Sequence, residues 1–143
     1  MCLPHPLPKE ATPTAADELP HFSKPIGNQT AVLGRSTVLE CSVDNLGPFN
    51  KVAWLKMDSS GSEPTVLTIG TQTLFNENKY RVSQNGHRQW YLHIKHIRVS
   101  DKGGYMCQVN AKTMISQVGY LHVQGRREQS AFLIDKEVIA NDG

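Results

Sequence analysis

The stretch Asp101 Lys102 Gly103 Gly104 Tyr105 Met106 Cys107 limits what this chain can fold into more than any other. It reads Asp-x-Gly-x-Tyr-x-Cys and has two matching residues upstream: Cys41, sixty-six positions before Cys107 (41 to 107), and Trp54, thirteen after Cys41 (41 to 54). Around the first cysteine Leu39, Cys41 and Val43 face one way while Val38, Glu40 and Ser42 face the other, the period of a half-buried strand. The same alternation sets Tyr105, Cys107 and Val109 against Met106, Gln108 and Asn110. It also sets Leu92 and Ile94 against His93 and Lys95. Turn formers separate the runs: Asn45, Gly47, Pro48 and Asn50, then 58–62, then the hairpin pair Asn85 Gly86, which suits a turn with positive φ at both centres. An all-β domain follows, two antiparallel sheets whose inward residues meet across a core about 10 Å thick.

A cysteine, a tryptophan and a Tyr-x-Cys in this order resemble an immunoglobulin sandwich. In that reading Cys41 and Cys107 lie on strands B and F of opposite sheets and are joined. Trp54, on strand C, packs on the bridge. Tyr105 takes the tyrosine-corner position, its hydroxyl bonding back to the turn that Asp101 opens. The closed loop has about 66 residues, for which chain entropy gives about 4 kcal/mol. The expected strands are A (21–25, with an edge kink at Pro25), A' with its turn (31–35), B (36–43), C (51–57), C' (66–70), D (80–83), E (89–95), F (104–110) and G (116–124). On G, Val118, Tyr120 and His122 are candidates for the outer face. Room for a C'' segment near Thr73, Leu74 and Phe75 makes the domain variable-type rather than constant-type. Arg81, at the start of D, is expected to bridge Asp101 at the lower end of the sandwich.

At 143 residues the chain holds one such domain, expected at 21–124, and is too short for two of about 100 residues each. A disordered leader is expected over 1–20, where Pro4, Pro6, Pro8, Pro13 and Pro20 fall, and a tail without clear period over 125–143. Cys2, near His5, is read as part of that flexible end. A net charge of +2 argues against a nucleic-acid partner. No run of about 18 apolar residues is present to cross a membrane, and the leader lacks the apolar core of a secretory signal. His93 and His96 are three apart on a strand and point to opposite faces, so no metal site is expected. Paired carboxylates, a nucleophile elbow and a Gly-rich phosphate loop are all missing, so neither catalysis nor a cofactor is expected. Asn28 Gln29 Thr30, on an expected sheet edge, is the one glycosylation sequon and favours export.

Four segments are more specific: Val52 Ala53 Trp54 Leu55 Lys56, Trp90 Tyr91 Leu92 His93 Ile94 Lys95, Tyr105 Met106 Cys107 Gln108 Val109 Asn110, and Gly119 Tyr120 Leu121. Over about residues 21–124 they closely resemble the first Ig domain of the lachesins and Dpr-interacting proteins, invertebrate neuronal surface proteins related to the vertebrate IgLON adhesion molecules. The resemblance implies an exported adhesion module at the cell surface. Its relatives carry three Ig domains, usually on a lipid anchor. Their first domains pair as homodimers or with related Ig receptors through the sheet of strands G, F, C, C' and C''. Carried onto this chain, that face takes Leu55 from C, Leu67 and Ile69 from C', Gln108 and Asn110 from F, and Met114 from the F to G loop. An apolar centre with a polar rim fits an interface of about 1,600 Å². One Ig domain in place of three, and no Pro-containing junction after Gln124, lead us to expect a fragment or splice form. On the residues alone an intracellular structural Ig domain of the muscle-scaffold type, with reduced cysteines, stays open.

Overall fold

Runs rich in Val, Ile, Thr and aromatic residues become strands because their branched or flat side chains fill a pleated, half-buried surface. The computed structural model describes residues 19–125. The leader and tail expectations lie outside those residues except at Leu19, Pro20 and Gly125, and Cys2 lies outside them too. The strands are β1 (His21–Lys24), β2 (Asn28–Val32), β3 (Thr37–Asp44), β4 (Val52–Lys56), β5 (Thr65–Ile69), β6 (Gln72–Thr73), β7 (Tyr80–Asn85), β8 (Gln89–Ile94), β9 (Gly103–Val109) and β10 (Ile115–Gln124). A 3-10 turn, Val99–Asp101, precedes β9. Four strands form one sheet in the order β1-β3-β8-β7, and six form the other in the order β2-β10-β9-β4-β5-β6.

The first stretch of chain changes sheets. β1 pairs antiparallel with β3, whereas β2 pairs parallel with β10. Between them Pro25 has no N–H to continue a ladder, and Gly27, at φ 80°, turns the chain. Gly119 on β10 lets that turn pass close: a Cβ there would stand 2.8 Å from the Gly27 carbonyl oxygen. The segment expected as A' is thus a strand from Asn28, earlier than its apolar residues suggest.

Both inner faces meet on the Cys41–Cys107 disulfide, whose Cα atoms are 6.4 Å apart. Trp54 is the cross-strand neighbour of Cys107, and Trp90 that of Cys41, so a buried indole flanks each end of the bridge. The alternation that turns Leu92 and Ile94 inward turns Trp90 inward as well. The Tyr105 hydroxyl donates to the Asp101 carbonyl oxygen at 2.6 Å, closing the tyrosine corner.

Two local expectations are corrected. Asp101 pairs with Lys79, not Arg81: Lys79 Nζ lies 2.9 Å from Asp101 Oδ2 and also donates to the carbonyl oxygens of Lys95 and His96, each at 3.1 Å. Strand parity explains the exchange. Tyr80 faces the core opposite Ile94, so Arg81, the next residue, is turned outward opposite His93 and is exposed. The hairpin after β7 also shifts by one residue. Asn85 closes the strand, the two positive φ values fall on Gly86 (58°) and His87 (60°), and the Arg88 N–H donates to the Asn85 carbonyl at 3.1 Å.

Buried phenols give the fold a defined alkaline limit. The hydroxyl of Tyr80 is pushed up to about 12, first by burial and then by the Asp101 charge. Tyr105 is pushed up further, by burial first and then by Tyr80 and Asp101. Raised folded values mean that the neutral phenols favour the fold below about pH 10, the unfolded value, and that this contribution is lost as pH rises through the folded values. Ultraviolet titration followed beside far-ultraviolet dichroism should show Tyr80 and Tyr105 ionising only together with unfolding. A full phenolate signal from all four tyrosines with the dichroism still native would contradict this.

Candidate protein-binding face

Alternation along β9 puts Tyr105, Cys107 and Val109 in the core and leaves Met106 and Gln108 on the outer face of the six-stranded sheet. Cross-strand register extends each into a row. Val118, Met106, Leu55 and Val66 lie side by side across β10, β9, β4 and β5. Next to them run Ser116, Gln108, Ala53, Ile69 and Gln72, ending on β6. None of these nine side chains is charged, and the first row is wholly apolar. Below, Tyr120 stands beside Gly104, and the Met57 N–H donates to the Gly104 carbonyl at 2.9 Å. Leu74 and Phe75, whose N–H groups both reach the Leu67 carbonyl, add exposed apolar surface beside β6. Met114, 57% exposed, and Phe49, on the loop after β3, do so at the upper end.

The opposite sheet has a different character. Its outer face carries the ion pairs Lys24–Glu40 (3.3 Å) and Arg88–Asp44 (2.7 Å) and the Ser83–His93 bond (2.8 Å). Val38 is its one exposed large apolar residue among the described strands β1, β3, β7 and β8. Paired surface charges of this kind are a solvated face, worth about 0–1 kcal/mol each.

The six residues expected on the binding face divide. Ile69, 39% exposed, and Met114 are open on it, and Gln108 is half-buried at its centre. Leu55 is on the outer face as expected, but its neighbours in the row cover it to 7% exposure, so it acts as the floor of the surface. Asn110 is exposed, yet its side-chain oxygen accepts the Lys51 N–H and its carbonyl accepts from Asn50 Nδ2, so it ties the loop before β4 to the end of β9. Leu67 is corrected: it is 1% exposed and belongs to the core. A bulge is the cause. Register runs Trp54 with Thr68 and Leu55 with Val66, so Leu67 is the extra residue and the strict alternation of β5 breaks there. Val66 takes the outward position that counting by twos from Ile69 assigned to Leu67. The sequon residue Asn28 is exposed on β2.

Lys56 points into the lower end of the sandwich, its ammonium 5.0 Å from the Tyr105 ring centroid. Its pKa is held below the usual lysine value by burial, against the opposing charges of Asp101 and Asp58. In the loop after β4, hydrogen bonds from Ser60, first from its N–H, and from Ser62 hold the fully exposed Asp58 below the ordinary carboxylate value. Among the described residues no group of three His, Cys, Asp or Glu is placed to hold a metal, and no helix is long and apolar enough to cross a membrane.

The immunoglobulin V-set domain model matches residues 26–124. Lachesin of Drosophila melanogaster is 29% identical over 102 residues, 71% of this chain and 27% of lachesin. The chain spans less than a third of the length of the curated relatives it matches. A chain in the crystal structure of Dpr1 IG1 bound to DIP-eta IG1 is 45% identical with a TM-score of 0.68, over 73% of this chain and 95% of that one. The RIG-5 IG1 homodimer is 31% identical at a TM-score of 0.66, over 73% of this chain and 97% of that one. A family match over residues 26–124, together with the two-sheet order and central disulfide, places this chain in the immunoglobulin V-set family, among relatives of the first Ig domains of the Dpr and DIP proteins.

Proposed function

We propose that this domain is a recognition module that binds another Ig domain, either a second copy or a related receptor, through the outer face of β10, β9, β4, β5 and β6. One observation carries the reading: the uncharged, apolar row Val118–Met106–Leu55–Val66, exposed at Val118 and Val66 and floored by Leu55, lies on a sheet whose opposite number is covered in ion pairs. A hydrophobic centre with charge kept away from it is the usual composition of a specific interface core. Relatives described as a Dpr1–DIP-eta complex and as a RIG-5 homodimer support binding between Ig domains. Ile69, Met114 and Gln108 make contact, joined by Val66 and Val118, while Leu55 supports them from below. The domain works outside the cell, where a disulfide such as Cys41–Cys107 persists. It performs no catalysis, and association is its whole activity.

Sedimentation of the oxidised protein, alone and with candidate Ig partners, tests this. Ile69→Asp or Val66→Asp should weaken association by more than about 2 kcal/mol, roughly thirtyfold in Kd, with the melting temperature held. Val38→Asp, on the other sheet, should leave association unchanged. Strictly monomeric behaviour at high concentration together with no binding across a panel of Ig receptors would sink the proposal.

A further inference from the structure

Asn28 and Tyr120 stand side by side. β2 pairs parallel with β10 in the register Asn28 with Tyr120, Gln29 with Leu121, and Thr30 with His122. Leu121 is fully buried, so it marks the inner face, and the residues on either side of it project outward. Asn28 and Tyr120 therefore share the outer face on adjacent strands, about 4.8 Å apart. Tyr120 is 42% exposed, and among the described residues its hydroxyl makes no hydrogen bond. The His122 ring lies 4.7 Å from it centroid to centroid, tilted by 46°, and supports part of the phenol while part of the ring stays exposed. Asn28, Gln29 and Thr30 are all exposed. They form an acceptor sequon, so a sugar attached to Asn28 starts next to an open aromatic ring.

We propose that the first N-acetylglucosamine of an N-glycan on Asn28 packs its apolar C–H face on the ring of Tyr120, making Tyr120 and His122 a sugar platform built into the β2–β10 edge. Transfer joins the Asn28 side-chain nitrogen to C1 of the sugar. That nitrogen loses a proton, and the lipid-linked oligosaccharide donor loses its lipid pyrophosphate. The electron-rich ring face attracts the weakly positive C–H groups of the pyranose, as it does the edge of another aromatic ring. This assignment is independent of the partner face, because it concerns only an attachment within the chain. It does remove Tyr120 from the surface open to a partner, which leaves docking to the rows that start at Val118 and Ser116.

The test uses the full chain secreted from insect cells behind a cleavable signal, with glycans kept high-mannose and then trimmed to the single N-acetylglucosamine. That form and Asn28→Gln are each compared in the Tyr120 and Tyr120→Ala backgrounds by denaturant unfolding, closing a double-mutant cycle. We expect the sugar to raise the unfolding midpoint beside Tyr120 and to lose at least half of that gain beside alanine. Tyr120→Phe should keep the gain, because the ring face and not the hydroxyl makes the contact. A readout that needs no variant is the proton spectrum of the trimmed glycoform, where ring current should shift the sugar C–H protons upfield. Equal midpoint shifts in both backgrounds with unshifted sugar protons would overturn the proposal, as would an Asn28 found unoccupied by mass spectrometry.

Discussion

Replacing Lys79 with alanine should lower the unfolding free energy by about 3 kcal/mol, whereas replacing Arg81 with alanine should change it by less than about 0.5 kcal/mol. The Lys79 ammonium and the Asp101 carboxylate are 15% and 6% exposed, so water does little to solvate whichever charge is left alone. Lys79 also donates to two exposed carbonyl oxygens just after β8, which water can serve in its place, so the cost falls mainly on the buried carboxylate. Asp101 keeps one donor, the Arg98 N–H at 2.7 Å, which is a reason to expect destabilisation rather than collapse. Tyr105 bonds to the Asp101 backbone and not to its side chain, so the tyrosine corner survives in an Asp101→Ala protein. Urea unfolding followed by tryptophan fluorescence reads all three variants. Equal losses for Lys79→Ala and Arg81→Ala would return the pairing to Arg81.

Reducing or removing the Cys41–Cys107 bond should destabilise the domain by about 4 kcal/mol through the chain entropy restored to the unfolded state. That is a large part of the 5–15 kcal/mol or so that holds a typical domain together. The expected result for Cys41→Ala combined with Cys107→Ala is a protein that unfolds at far lower urea concentration. The indoles offer a second readout. Trp54 and Trp90 flank the two sulfurs and should brighten when the bond is reduced, before any unfolding. An unchanged midpoint in the double variant would mean that packing alone secures the core.

Much of the scaffold was legible because alternation and the cysteine spacing are local signals. Cys41, Trp54, Tyr105 and Cys107 all fall where a sandwich needs them, and the outer set on β9 and β10 follows from counting by twos. Counting failed where the backbone gains or shifts a residue. The bulge in β5 carries Leu67 into the core and turns Val66 out, and nothing in Thr65–Ile69, apolar on both parities, announces it. The Arg81 expectation failed for the opposite reason. A pairing taken from related domains ignored the parity set by Tyr80, whose buried ring fixes the direction of everything after it. The face itself was half legible: Ile69, Gln108 and Met114 are placed by strand and loop position. The burial of Leu55 and the structural use of Asn110 depend on neighbours that only the folded chain brings together.

The parallel pairing of β2 with β10 has a mechanical meaning. The chain enters this pair at Asn28 and leaves it at Gln124, at opposite ends of two strands that run the same way. A pull applied to the two ends of the domain therefore drives the strands past each other along their length. Every rung is loaded at once, from the Tyr120 N–H on the Gly27 carbonyl to the Leu33 N–H on the Gln124 carbonyl. Hydrogen bonds sheared together resist far more force than bonds unzipped one by one. Behind this clamp the disulfide locks the chain between Cys41 and Cys107, so even a broken clamp could lengthen the domain only by its outer segments. If the domain binds a partner as proposed, a pull between its two ends runs along its strongest direction.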